Sequence, residues 1–210
     1  MATAPPERSK IWYLRRSVWR DARNLIRHGT AAPKWGELIW VDPGTVTTFV
    51  SSHNRSYTGQ VIGGDWDLTT QPLLEHEKIL ACRQHWVEGV PWEDTGIIEL
   101  IVQEIELYGS KDGCTTRDEV VARYRHLDDI FDQVKTERRL RTRREVDRSA
   151  YREVGGIYMH FDRENTPVFG NGGCHRLAIA QVLGLESIPA QVGVVHEEAL
   201  KSWRHRISNL

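Results

Sequence analysis

The sequence predicts an α+β domain: a small mixed sheet with flanking helices and a helical insertion between an early and a late β-region. Three observations carry this. Strand-like segments lie near both ends, around Leu38–Val50 and Val154–Val195, while the apolar residues between them repeat at helical spacing. In the late region a glycine-rich turn, "FGNGGCHR" (Phe169 to Arg176), leads from a strand into an apolar helix. A length of 210 residues suits a single large domain. The organisation expected is a disordered tail over residues 1–10 and one domain over 11–210, its helical insertion at about 73–148.

The net charge of −1 argues against a generic nucleic-acid coat. Cys82, Cys114 and Cys174 are odd in number and form no CxxC, so a disulfide framework is not expected and a reducing, cytoplasmic setting is favoured. The polar start, "MATAPPERSK", lacks the apolar stretch of a signal peptide, and no apolar run is long enough to span a bilayer.

"IWYLRRSVWRDARNLIRHG" comes first. Val18, Ala22, Leu25 and Ile26 recur at helical spacing, arginines fill much of the rest, and Gly29 supplies a stop. The pattern reads as a basic amphipathic helix packed on the domain, its arginines solvated. The other reading is a peripheral contact of residues 11–28 with a membrane surface or another anionic partner.

Leu38 to Val41 is β-branched and aromatic, "DPG" signals a turn, and Val46 to Val50 reads as a second strand. Asn54 to Thr70 is expected to be a long loop carrying "VIGGDWDLTTQP". Three helices should follow. The first covers Leu73 to Val87. The second carries the stripe Ile97, Ile98, Ile101, Val102 and Ile105 and stops at Gly109. The third opens on a capping box of Thr116 and Glu119 and runs on through Val134. The arginine run around Arg138 to Arg148 is either a solvated connector or a contact for phosphate or nucleic acid. "VGGIYMHF", "DREN" and "TPVFG" then read as strand, turn and returning strand. Leu177 to Leu183 should be a buried helix capped by Gly184, and "IPAQVGVV" the last strand.

The glycine turn is the strongest chemical signal. Glycines let a backbone approach a ligand closely, and the first amides of a helix have no partners within it and lie at its positive end. Such a turn takes phosphate or carboxylate, and Arg176 adds a planar cationic fork. His175 is placed to donate or shuttle a proton. At a helix N-terminus, beside His175 and Arg176, the Cys174 thiol should titrate low and react readily, or else serve as a small buried filler.

"GGCHRLAIAQVLGLESIPAQV" resembles the signature of the ParB/sulfiredoxin superfamily: a Gly-x-His-Arg turn, an Ala-rich helix, Leu-Gly, then Ile-Pro and a strand. The likeness is good over Val154–Val195 and weaker over Leu38–Val50. It implies a ParB/sulfiredoxin-like sheet and binding of nucleotide phosphates by Asn171, Gly172, Gly173, Cys174, His175 and Arg176. It further implies a nucleoside di- or triphosphate with Mg²⁺ as cofactor. The reaction it favours is phosphoryl transfer to a small hydroxylated metabolite, or nucleotide hydrolysis.

In branches that phosphorylate free serine an aspartate stands where Gly172 stands here. Asp65 and Asp67 of "GDWD" either cap a turn with Trp66 as a packing anchor or, sharing a face in an extended loop, become the source of a base or Mg²⁺ ligands. The catalytic set expected is therefore Asp65, Asp67, Cys174 and His175. Two alternatives come from other branches of the superfamily. One is a nucleotide-gated module binding nucleic acid through its arginine segments. The other is a sulfiredoxin-like reductase using Cys174, although Asn171 displaces Phe169 from that spacing.

Overall fold

The computed structural model describes residues 10–203. The tail expected at residues 1–10 falls, apart from Lys10, outside the described residues. In chain order the elements are α1 (Lys10–His28), β1 (Leu38–Val41), β2 (Thr48–Phe49), β3 (Gln60–Ile62) and β4 (Gln71–Pro72). Four helices follow: α2 (Glu77–Glu88), α3 (Ile97–Tyr108), α4 (Arg117–Glu137) and α5 (Arg143–Val146). The chain then returns to the sheet as β5 (Ile157–Phe161), β6 (Pro167–Phe169), α6 (Cys174–Val182) and β7 (Ile188–His196).

The strands form one mixed sheet ordered β1-β7-β5-β6-β2-β4, with β3 also on β7. β1 runs antiparallel along Ile188–Gln191 and β3 parallel along Val194–His196, so the two share the β7 edge opposite β5. The expected α+β class, with flanking helices and a mixed sheet, is what forms. Ile157, Met159 and Phe161 alternate onto one face of β5. They join a single buried core with Ile98 and Ile101 of α3, Val120 and Tyr124 of α4, and Leu177 and Ile179 of α6. The helices between β4 and β5 thus share the core of the sheet.

The capping box forms as read: the Thr116 hydroxyl accepts from the Glu119 amide at 3.3 Å, and the Glu119 carboxylate accepts from the Thr116 amide at 3.2 Å. Gly109, at φ 82°, ends α3. Elsewhere the boundaries move. Asp42 caps a 3-10 turn over Pro43–Thr45, leaving only Thr48 and Phe49 for β2. Leu73–Glu75 is a 3-10 turn, so α2 starts at Glu77. The loop expected over Asn54–Thr70 contains β3.

The opposite sheet face is mixed, with Leu38, Trp40 and Val168 beside Gln191, Tyr158 and His160. Tyr158 and His160 project from β5 beneath the segment around His53, Tyr57 and Trp66. Space for the buried His160 ring exists because its neighbours are glycines: a Cβ on Gly170 or on Gly193 would lie 2.5 Å from an imidazole nitrogen.

α1 forms over the expected span but with the other face inward. Its buried residues are Ser17 and Asn24. Asn24 donates to the carbonyls of Pro33 at 2.7 Å and Gly59 at 2.6 Å, and the Ser17 hydroxyl lies 2.5 Å from that of Tyr151. Asp21 accepts from the Trp35 amide and pairs with Arg152 at 2.7 Å. The loops beneath α1 present backbone groups that need partners, and only the polar face of the helix supplies them. Val18, Leu25 and Ile26, read as the packing stripe, are exposed.

Candidate functional site

Beyond β6 the chain runs through Gly170 to Gly173 alongside the start of β5: the Tyr158 amide donates to the Gly172 carbonyl at 2.8 Å, and the Gly170 amide to the Tyr158 carbonyl at 2.8 Å. Asn171, at φ 58°, and Gly173, at φ 85°, turn the chain left-handed into α6, and no side chain caps that helix. Among the described residues, no other residue accepts from the amides of Gly173, Cys174 and His175. These donors therefore lie at the positive end of the helix dipole.

Two guanidiniums cover the glycines. A Cβ on Gly172 would lie 2.5 Å from Arg55 Nη2, and one on Gly173 would lie 3.2 Å from Arg176 Nη2. Arg55 arrives on a 3-10 turn capped by Asn54. It donates to Gln191 Oε1 at 2.6 Å and to the Gly156 carbonyl at 2.7 Å, and lies over the Tyr158 ring. Arg176 donates to the Gly155 carbonyl at 2.7 Å. Both thus bond neutral acceptors rather than carboxylates.

Arg143, from α5, packs against Gly155 on a third side. Burial, then the charges of Arg143 and Arg55, draw Arg176 below its ordinary value, and burial with Arg143 does the same to Arg55. The nearby acid is Glu153, 2% exposed, whose carboxylate accepts from the Arg143 amide at 3.2 and 3.0 Å. Burial pushes its carboxyl upward, opposing ionisation. Three guanidiniums and a helix N-terminus face one reluctant carboxylate, so an added anion improves the charge balance.

Glu153 also lines a cavity of about 460 Å³ bounded by Lys34, Glu37, Thr142, Arg144 and Arg152. A larger cavity, about 750 Å³, lies toward the C-terminal part of α6, among Asp42, Leu73, Ile79, Arg83 and Gln181, and none of the turn residues lines it.

Cys174 departs from the expected chemistry. Its sulfur lies 3.8 Å from His76 Nε2 and 3.9 Å from Asn171 Oδ1. His76 Nε2 is 2.7 Å from Asn171 Oδ1, so it carries a proton to that acceptor and cannot take one from the thiol. Burial pushes the Cys174 thiol up, outweighing the lowering from Lys78 and the helix start. His175 leans away from the turn, its Nε2 3.4 Å from the Tyr124 hydroxyl. Burial, then Lys78 and Arg123, bring it down to about 4, a neutral imidazole at neutral pH.

Asp65 and Asp67 lie at the other end of β5, five residues from the turn, roughly 15 Å at the usual strand rise. They sit on a 3-10 turn rather than an extended loop. Arg163, beyond β5, donates Nε to Asp67 Oδ2 at 2.8 Å, Nη2 to Asp67 Oδ1 at 2.8 Å, and Nη2 to Asp65 Oδ1 at 2.9 Å. That guanidinium holds the Asp67 carboxyl down at about 2. A metal between these carboxylates would have to displace Arg163. Among the described residues, no three His, Cys, Asp or Glu side chains gather as metal ligands.

The pair closes the β5–β6 turn onto the preceding loop. Asp67→Asn is accordingly expected to cost about 1–3 kcal/mol of stability, the scale of hydrogen bonds to a charged group, without changing anion affinity at the glycine turn. Urea unfolding with a parallel phosphate titration checks this, and lost affinity in folded protein would return Asp67 to the site.

The arginine run is largely engaged within the fold. Arg138 reaches the Leu183 carbonyl at 2.8 Å, Arg139 pairs with Glu145 and Arg141 with Glu137, and Arg143 turns into the cluster. The sequence singles out Asn171 to Arg176 by their glycine turn but carries no local mark at Arg55, and its only signal for Arg143 is the density of the arginine run. No family model, curated protein or solved structure matches the chain.

Proposed function

We propose that the chain binds the phosphate groups of a nucleotide at the start of α6 and acts on them, by phosphoryl transfer to a small hydroxylated metabolite or by hydrolysis, in the cytoplasm. The observation that carries this is the set of amides at Gly173, Cys174 and His175, flanked by Arg55 and Arg176, neither of which is tied to a carboxylate. In this reading the amides and Asn171 cradle phosphate while Arg55, Arg143 and Arg176 neutralise it. Phosphoryl transfer asks a protein chiefly for positioning and charge stabilisation, which this arrangement supplies. His175 then fixes α6 against α4 through Tyr124, and Cys174 is a neutral thiol at the lip of the turn. With Arg163 holding Asp65 and Asp67, those carboxylates do not fit a magnesium site, and no step is assigned to them.

Thermal unfolding with ATP, ADP, CTP and GTP, each with and without Mg²⁺, tests the proposal. Saturating the right nucleotide at a hundredfold over Kd stabilises by about 2.7 kcal/mol, roughly 5–10 °C in Tm for a chain of this size. Phosphate release or transfer should follow with that nucleotide alone. A flat response to all four nucleotides and to inorganic pyrophosphate would overturn it.

A further inference from the structure

The inverted packing of α1 leaves an apolar ridge pointing at solvent. Ile11, Leu14, Val18, Ala22 and Leu25 follow helical spacing, with Trp19 and Ile26 beside them. Their exposures are 68% for Ile11, 51% for Leu14, 59% for Val18, 60% for Trp19, 54% for Leu25 and 85% for Ile26. Arg16, Arg23 and Arg27 run along one flank and Arg15 stands within the ridge, all four exposed. The one acid of α1, Asp21, is paired with Arg152 on the inward side. Packing on the domain does not account for the ridge, because the helix is held through its other face, by Ser17, Asn24 and the ring of Tyr13 on Tyr151 and Trp35.

From this geometry we infer that α1 docks the protein on an anionic lipid bilayer, lying in the plane of the surface. Charge and polarity select this partner. The outward face is wholly cationic and apolar, so its partner must bring negative charge together with a boundary that accepts aliphatic side chains. A bilayer with anionic headgroups offers both. The ridge enters the acyl boundary, Trp19 sits at headgroup level, and the arginines reach lipid phosphates with their stems along the apolar surface. A second copy of α1 would place two arginine rows without acids against each other. Nucleic acid would answer the arginines and leave the ridge wet. Among the described residues no helix is long and apolar enough to cross a membrane, so the contact is peripheral.

Flotation of the full chain with phosphatidylcholine vesicles, with and without phosphatidylglycerol, provides the test. Binding is expected only to the anionic vesicles and should weaken with salt. The R16Q/R23Q/R27Q variant should bind roughly 100-fold more weakly, about fivefold per arginine. L14S/V18S/L25S should lose at least about tenfold through the apolar area it no longer buries. These side chains are exposed, so unchanged Tm values will show both variants folded.

Four outcomes would overturn the inference. The wild-type chain does not float with anionic vesicles. L14S/V18S/L25S binds as well as wild type, or the arginine set governs affinity for duplex DNA instead. Light scattering shows a dimer that L14S/V18S/L25S dissociates, which would make a second copy the cover of the ridge.

Discussion

The Arg55→Ala/Arg176→Ala double variant is expected to lose nucleotide affinity by roughly 10²–10⁴, the combined scale of two charge-assisted hydrogen-bond partners. The glycine turn alone cannot make up the loss. Its amides are neutral, and their dipole holds an anion only weakly against water once the flanking charge is gone. Removing Arg55 also frees Gln191 and the Gly156 carbonyl, so a fold control is needed. Arg55→Lys provides it: charge is kept, the planar fork is lost, and the expected affinity is intermediate. Calorimetric titration of whichever nucleotide stabilises the wild-type chain measures all three proteins. A folded double variant that binds within about threefold of wild type would detach the guanidiniums from the site, because a lost charge-assisted contact costs more than that.

Why this arrangement was only half visible in the sequence follows from its contacts. Asn171 to Arg176 are consecutive, and the rules that place glycines before a helix start are local, so the turn could be read directly. Arg55 and Arg176 come together only because β7 and β5 are neighbours in the sheet: Arg55 meets Gln191 on one and Gly156 at the start of the other. Nothing near Arg55 in the chain encodes that meeting. The same distance in sequence hid Arg163, whose hydrogen bonds to Asp65 and Asp67 turn two apparent catalytic acids into a clamp.

Capping chemistry is local as well, which is why Thr116 and Glu119 fixed the start of α4 correctly. In α1 periodicity identified the helix but misjudged which side is buried. A period reports that two faces differ; it does not report that the loops beneath would present the Pro33 and Gly59 carbonyls to Asn24. The β3 strand escaped because three residues between a glycine and a polar turn are too few for alternation to register.

Acid is expected to begin destabilising the protein at about pH 6.5, above the range in which carboxylates titrate. Burial, then the charge of His53, lowers His160 from 6.5 to about 3, while His175 falls to about 4. Folded-state values below the unfolded value mean that the unfolded chain binds the extra protons. The stability these groups confer is therefore fully present above pH 6.5 and drains away as the pH falls, ending near 4 for His175 and near 3 for His160.

Each contributes a slope of roughly 1 kcal/mol per pH unit, and together they remove on the order of 5 kcal/mol before pH 4, comparable with the whole stability of many domains. His53, lowered by burial, acts in the same direction. Glu153 and Asp162, raised by burial, act in the opposite one, taking up their protons first in the folded state, but only as the pH nears the carboxylate range. Asp67, held at about 2, enters only below its ordinary 3.8 and leaves the upper window to the imidazoles.

His160→Asn isolates the largest share. An asparagine carbonyl can accept from the Val194 amide, as His160 Nδ1 does at 2.8 Å, while nothing in the side chain titrates. The variant should be less stable than wild type at about pH 8, where the lost ring volume dominates, yet its stability should fall about half as steeply toward pH 4. Urea unfolding at intervals across that range reads both slopes. A wild-type slope that is flat between pH 6.5 and 5, or one that survives His160→Asn unchanged, would mean that His160 is not held neutral beneath Trp66 and His53.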